Sequence, residues 1–312
     1  MEVTRSSVNA FLSRRLAPLV FAPAQSRHRY AIRDLVYDAE HTHVHLDWYE
    51  IEQWLELEPE QVRIAMRGSR IVGVLGLSRP LNGASWVRIA AVDGREDVVS
   101  MLAALWQDLL PDLRQRGVGQ AAWLMIRDWT EAAAARIGFR YAEQIITLRR
   151  AGVGAPLING ASRPVIRAFQ PADLPAIAAV DHAAFHPPWQ MSLSDLSAAS
   201  RIAAYATVAL IEEAIVGYQM STLYFDGAHL ARLAVAPQVQ GQRVGSALVE
   251  DMLGHFHQRG VQTMTVNTQQ SNAISQQLYE RQGFRRNGYD LPVWICSLTE
   301  TASASERSAS AI

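Results

Sequence analysis

Along the second half of this 312-residue chain, apolar and polar positions follow one period and then another. Two β-rich runs, 206–209 and 214–223, flank the polar pair Glu212-Glu213, which is the pattern of a hairpin. A third strand-like run over 229–236 stops at Pro237. The period then lengthens: over 246–258, Ala247, Leu248, Met252, Leu253 and Phe256 fall on one helical face. Gly260 closes that helix, 263–267 reads as a strand, and 272–281 as a helix ended by Gly283. Further β runs fill 285–297.

The same succession is written twice. Ile71-Val72-Gly73 recurs as Ile215-Val216-Gly217, and Arg88-Ile89-Ala90 as Arg232-Leu233-Ala234. Both halves then show Gln-Arg-Gly, at 115–117 and 258–260, followed by Gly138-Phe139-Arg140 and Gly283-Phe284-Arg285. From the first glycine to the last is 138 − 73 = 65 residues in one half and 283 − 217 = 66 in the other. Four matches in one order at one spacing indicate a diverged duplication. The Gly/Ala/Pro-rich stretch 151–162 is the expected linker, giving domains of roughly 1–150 and 163–300. The tail 301–312 has no periodic apolar pattern and is expected to be disordered.

Composition narrows the class without naming a chemistry. Apolar residues make up 49% and charged residues 19%, a globular profile with length enough for two cores. A net charge of −1 supplies no basic field, so neither nucleic acid nor an anionic membrane is an expected partner. No apolar run reaches the length of a membrane span. The single cysteine, Cys296, excludes an internal disulfide framework and fits a reducing compartment, with the cytoplasm as expected location. The acid-free stretch from Val3 to Arg33 weakly imitates a transit sequence but reads as a helix over 8–21 and a loop. His41, His43 and His45 would share a face of an extended segment; they are expected to be polar surface residues, with no metal bound. Trp48, Trp54 and Trp86 read as core anchors.

The chemistry concentrates at Gln240-Gly241-Gln242-Arg243-Val244-Gly245-Ser246, which opens the 246–258 helix. Backbone N–H groups at a helix start attract an anion, glycines permit close approach, and Ser246 can cap or donate a hydroxyl. The turn lacks both the nucleotide P-loop lysine and the dinucleotide glycine spacing. Leu233-Ala234-Val235-Ala236-Pro237 precedes it; Asn272-Ala273, Leu278-Tyr279 and Gly283-Phe284 follow. With these flanks, about 165–297 resembles the GNAT superfamily of N-acetyltransferases, most closely its ribosomal-protein N-terminal alanine acetyltransferases.

That resemblance implies an α/β (α+β) fold with two GNAT-like domains, each a mixed, mostly antiparallel twisted sheet flanked by helices. It implies acetyl-CoA as co-substrate. Leu233, Ala234 and Val235 would present strand-edge backbone to the acetyl and pantetheine portions, and Gln240, Gly241, Gln242, Arg243, Val244, Gly245 and Ser246 would cradle the pyrophosphate. Asn272 would bond the pantetheine arm or help splay two strands, and Tyr279 matches the family's general acid. The implied reaction is direct attack of an amine in a ternary complex. An N–H at Leu233 or Val235 would meet the oxyanion, and Tyr279, with a phenol pKa of ~10, would face a departing thiol near ~8.5.

Two positions depart from the pattern. Arg243 replaces a glycine: if its φ is negative it costs little and its guanidinium can reach a phosphate, or else it points to solvent. Asn267 stands where the alanine acetyltransferases carry a glutamate base, so the base must come from elsewhere; His229, Asp226 and the group Asp181, His182 and His186 are candidates. An α-amine of pKa ~7.7–8 needs little base where a lysine amine near ~10.4 needs much, which favours a peptide or protein N-terminus or a low-pKa small amine. Trp189, after Pro187-Pro188, is an expected acceptor-side wall with Asn267. A small-molecule acceptor (amino-sugar, polyamine or mycothiol-synthase-like) and a non-catalytic acyl-CoA sensor are the alternatives.

The first half lacks the same parts. Its turn reads Asp93-Gly94-Arg95-Glu96-Asp97, and Arg127 and Ala134 stand where Asn272 and Tyr279 align. Acidic side chains there oppose a phosphate. This half is expected to be non-catalytic, packing like one subunit of a dimer within a monomeric chain, or in a homodimer, or shaping the acceptor cleft.

Overall fold

The computed structural model describes residues 17–152 and 164–299. Most of the expected linker, the 301–312 tail and most of the expected helix over 8–21 lie outside that range. The described end of that helix is instead strand β1 (Leu19–Pro23). The chain divides into two compact units, Met1–Ala142 with Val293–Ile312, and Glu143–Pro292.

The first unit runs β1, α1 (Arg29–Asp38), β2 (His41–Val44), α2 (Ile51–Leu57), β3 (Val62–Arg67), β4 (Arg70–Leu77), β5 (Ala84–Val92), α3 (Val98–Gln115), β6 (Gln120–Leu124) and α4 (Trp129–Arg136). The second contains β7 (Arg140–Ala151) from Glu143 on, then β8 (Val165–Ala168), α5 (Leu174–Ala184), α6 (Leu193–Ile202), β9 (Tyr205–Ile211), β10 (Ala214–Tyr224), β11 (Gly227–Val235), α7 (Val244–Gln258), β12 (Thr263–Gln269), α8 (Ala273–Arg281) and β13 (Arg285–Arg286). Strand β14 (Leu291–Ser297) returns to the first unit at Val293.

The expected boundary near 150 therefore needs correction, because the halves exchange a strand. β7, written after Gly138-Phe139-Arg140, pairs antiparallel with β12 from Ala151↔Thr263 to Ile145↔Gln269. β14 pairs antiparallel with β6, from Val293↔Leu124 to Ser297↔Gln120. Alternation marks a segment as a strand, but any free sheet edge can take it, so its partner is invisible to local pattern.

In each unit the sheet is mostly antiparallel. The first follows β1-β3-β4-β5-β6-β14, and the second β7-β12-β11-β10-β9-β8 with β13 on β7. In the second unit Val249, Met252, Leu253 and Phe256 of α7 pack with Ile146, Leu148, Leu230, Met264 and Val266 from the sheet. The repeated Ile-Val-Gly has a packing cause. A Cβ on Gly217 would meet Ala234 O at 3.0 Å and Val244 and Leu248 side chains at 3.2 Å. A Cβ on Gly73 would meet Met101 at 2.9 Å. Both glycines let the helix after the turn lie close on the sheet.

The histidines depart from expectation. His43 is 1% exposed, and His41 and His45 are half-buried. The three rings stand edge-on to Trp129, Trp123 and Trp86, for His41, His43 and His45 in turn, at 5.5, 5.7 and 5.7 Å. They are drawn inward because their segment is a strand, β2, paired with β5. Among the described residues no group of three or more His, Cys, Asp or Glu side chains is placed to hold a metal, and no helix is long and apolar enough to cross a membrane.

Candidate active site

The second unit's sheet opens where its parallel pair ends. β11 bonds to β12 only through Ala228, His229 and Leu230, opposite Met264, Thr265 and Val266. On its other side it stays paired with β10 as far as Val235. Beyond Leu230 one edge of β11 is thus free among the described residues. The Ala236 amide donates to Val216 O at 2.8 Å. Antiparallel alternation then turns Ala234 toward Tyr218 and leaves the backbone groups of Leu233 and Val235 on the free edge. Gln240 Nε2 reaches back to Val235 O at 3.1 Å.

The turn after this edge is held by two left-handed residues, Gly241 (φ +79°) and Arg243 (φ +65°). Arg243 is the N-cap of α7 and provides no side-chain cap. The first-turn amides of a 15-residue helix therefore face outward with the positive end of its dipole. The condition under which arginine costs little at 243 is not met: a non-glycine residue in the left-handed region carries about 1 kcal/mol of strain.

Strand edge, turn and the start of α8 line one cavity of about 420 Å³. Leu233, Ala234, Val235, Gln240, Gly241, Arg243, Val244, Gly245, Ser246 and Asn272 all contribute to it. So do Phe185, from the same stretch as Trp189, and Arg281, which the sequence did not single out; no carboxylate stands among these described lining residues. Asn272 caps α8, its Oδ1 accepting from the Ser275 amide at 3.0 Å, and keeps its NH2 as a donor. Gln242 is exposed and lies outside the lining.

Other expected residues are placed differently. Tyr279 is 4% exposed, packed against Phe284 beneath α8 rather than on the cavity wall. Burial holds its hydroxyl well above the ordinary phenol pKa, opposed by the Arg232 charge, so it is protonated at neutral pH. His229 sits in the paired part of β11, with Nδ1 2.8 Å from Thr265 Oγ1, and burial lowers its pKa. Asn267 is exposed on β12, one residue past the last position paired with β11 and opposite Thr147 of β7. Asp226 is exposed in the β10–β11 turn, and His186 is exposed too. His182 Nε2 lies 2.9 Å from Met191 O.

Asp181 is not free to serve as a base. It is fully buried and accepts from Arg232 Nε at 2.8 Å, Tyr218 OH at 2.6 Å and the Met191 amide at 2.8 Å. Arg232 also donates to the carbonyl of half-buried Trp189 at 2.8 Å, and its guanidinium lies 3.7 Å from the centre of the Phe185 ring. This network ties the segment after α5 to β11 beside the cavity. Its signal in the sequence was an arginine inside an otherwise apolar strand, which demands a buried counter-charge.

Comparison with known proteins is concordant. Residues 174–284 match the family model described as "Acetyltransferase (GNAT) family". A [Ribosomal protein bS18]-alanine N-acetyltransferase of Escherichia coli (strain K12) is 30% identical over 130 residues, 40% of this chain and 86% of that protein. A mycothiol acetyltransferase of Streptomyces coelicolor is 28% identical over 262 residues, 74% of this chain and 83% of that protein. Among solved structures, a tandem GNAT protein from the clavulanic acid biosynthesis pathway superposes with a TM-score of 0.60 at 15% identity, covering 90% of this chain and 99% of that one. A GCN5-related N-acetyltransferase from Sphaerobacter thermophilus gives 0.58 at 15%, covering 90% and 96%. At such identities the structural matches speak to fold alone.

Proposed function

This chain belongs to the acetyltransferase (GNAT) family and is an N-acetyltransferase, and from that premise we propose that its second unit transfers acetyl from acetyl-CoA to an α-amine at a peptide or protein N-terminus. One observation carries the reading: the free 233–235 edge and the uncapped start of α7 line a single cavity with no carboxylate among its described residues. Bound there, acetyl-CoA supplies an activated thioester. The amides after Gly241 receive the pyrophosphate, with Arg243 beside them, and the backbone of Leu233 and Val235 aligns the pantetheine arm. An N–H of Leu233 or Val235 stabilises charge on the thioester oxygen as the amine nitrogen bonds to the carbonyl carbon. As the C–S bond breaks the sulfur leaves as a thiolate, and we assign its hydrogen-bond donor to Tyr279, which burial keeps protonated and whose neighbour Leu278 lines the cavity. The ammonium proton leaves through water or His229, whose lowered pKa keeps its ring neutral.

The E. coli relative acts on a ribosomal-protein alanine, which supports a peptide acceptor for the matching half. The mycothiol acetyltransferase matches across both halves, which supports the second reading, a small-molecule amine. A thiol-release assay over N-terminal peptides, lysine peptides and small amines separates them, with calorimetry for acetyl-CoA alongside. Turnover with lysine side chains only would sink the α-amine reading. Tight acetyl-CoA binding without turnover on any acceptor would leave a sensor.

A further inference from the structure

We propose that the first unit fills from within the cleft that the second keeps open, so that the chain binds one acetyl-CoA rather than two. The inference rests on the 233–235 edge and the α7 turn being the acetyl-CoA cleft of the second unit. The two units match closely up to that point. β5 pairs parallel with β6 over only three residues, Ala84, Ser85 and Trp86 with Gln120, Ala121 and Ala122, as β11 does with β12. Past that pairing, the β11 edge is free among the described residues. The β5 edge is covered by β2, antiparallel, with Val44↔Ile89, His43↔Ala90, Thr42↔Ala91 and His41↔Val92. The His45 amide continues the ladder onto Arg88 O at 2.8 Å. By alternation, the outward backbone groups of Ala90 and Val92 are bonded to His43 and His41.

The side chains of β2 reach the other wall. His43 stands edge-on to Trp123 of β6, and His41 to Trp129 at the start of α4. The strand therefore sits in the wedge between β5 and β6, where a pantetheine arm would run. A second obstacle stands at the helix start. Asp97 Oδ1 accepts from the Ser100 amide at 2.9 Å, capping α3 where α7 has no side-chain cap. In the same turn Asp93 and Glu96 already hold Arg70 and Arg67, so those guanidiniums are committed to carboxylates. One obstacle takes the strand edge, and the other puts the Asp97 carboxylate at the helix start where a phosphate would sit.

The test is acetyl-CoA stoichiometry on the full chain by native mass spectrometry, with residue-resolved hydrogen exchange. We expect one acetyl-CoA per chain. The Ala90 and Val92 amides should be protected without ligand and unchanged by it, while those of Leu233 and Val235 gain at least tenfold protection. Gly245→Glu, which places a carboxylate at the α7 start, should bind none. A second acetyl-CoA, or a change in exchange at Ala90 and Val92, overturns the inference and leaves the second-unit reading in place. No binding at all overturns that reading and the one-per-chain count with it. The exchange comparison uses the wild-type chain, so it does not depend on the variant folding.

Discussion

Asp181 is the side chain whose loss should cost the second unit most. Its buried carboxylate receives Arg232, Tyr218 and the Met191 amide. Removing one member of a buried ion pair costs about 3–5 kcal/mol because the survivor's charge stays desolvated, whereas replacing both with apolar residues is close to neutral. Asp181→Ala should therefore lose ~4 kcal/mol. Arg232→Met should lose about 3, since the carboxylate keeps its Tyr218 and Met191 donors. Independent losses would sum to ~7; the double variant is expected to be no worse than the worse single, a coupling of about 3 kcal/mol. Trp189 is the one tryptophan within Glu143–Pro292. Its 19F resonance in 5-fluorotryptophan-labelled protein, followed through a urea titration, reports this unit apart from the other. A double-variant loss equal to the sum within about 0.5 kcal/mol would refute the reasoning. In assays, Asp181→Ala should raise the acceptor KM more than that for acetyl-CoA, because the Trp189 segment loses its anchor.

Three further outcomes are expected. Burial lowers the His43 pKa to about 3, helped by the nearby charges of His45, Arg88 and Arg127 and opposed by the Val87 backbone. The unfolded ring takes its proton near ~6.5, so between those values the unfolded state binds more protons and stability is lost as pH drops, by ~2 kcal/mol at pH 5; His43→Leu should remove that slope from urea midpoints measured at pH 7 and 5. Arg243→Gly relieves left-handed strain and should raise stability by up to about 1 kcal/mol, while weakening acetyl-CoA binding in calorimetry; an unchanged Kd would show that the side chain does not grip phosphate. Tyr279→Phe should lower kcat by about 10²-fold or more without altering the acetyl-CoA Kd, and an unchanged kcat would remove Tyr279 from the chemistry.

What the chain settles by itself is what depends on near neighbours. The 3.6-residue stripe that predicts the helix over 246–258 is observed as Val244–Gln258, and the strand runs reappear as β9, β10, β11 and β12 within a few residues. Glycine spacing located the turn that opens α7, since left-handed backbone and close packing leave their mark on residue type. The repeat predicted two related α/β units. Tertiary structure decided the rest, each time because the partner is far away in sequence. A free edge accepts any strand of suitable period, so β7 and β14 could exchange without trace in their own pattern. Alternating histidines read as surface polarity until β2 is seen covering the edge of β5. Asp181 read as a possible base until Arg232, 51 positions on, was found bonded to it. The sign of φ at 243 belongs to the turn as folded and not to the arginine, which is why the residue type left it open.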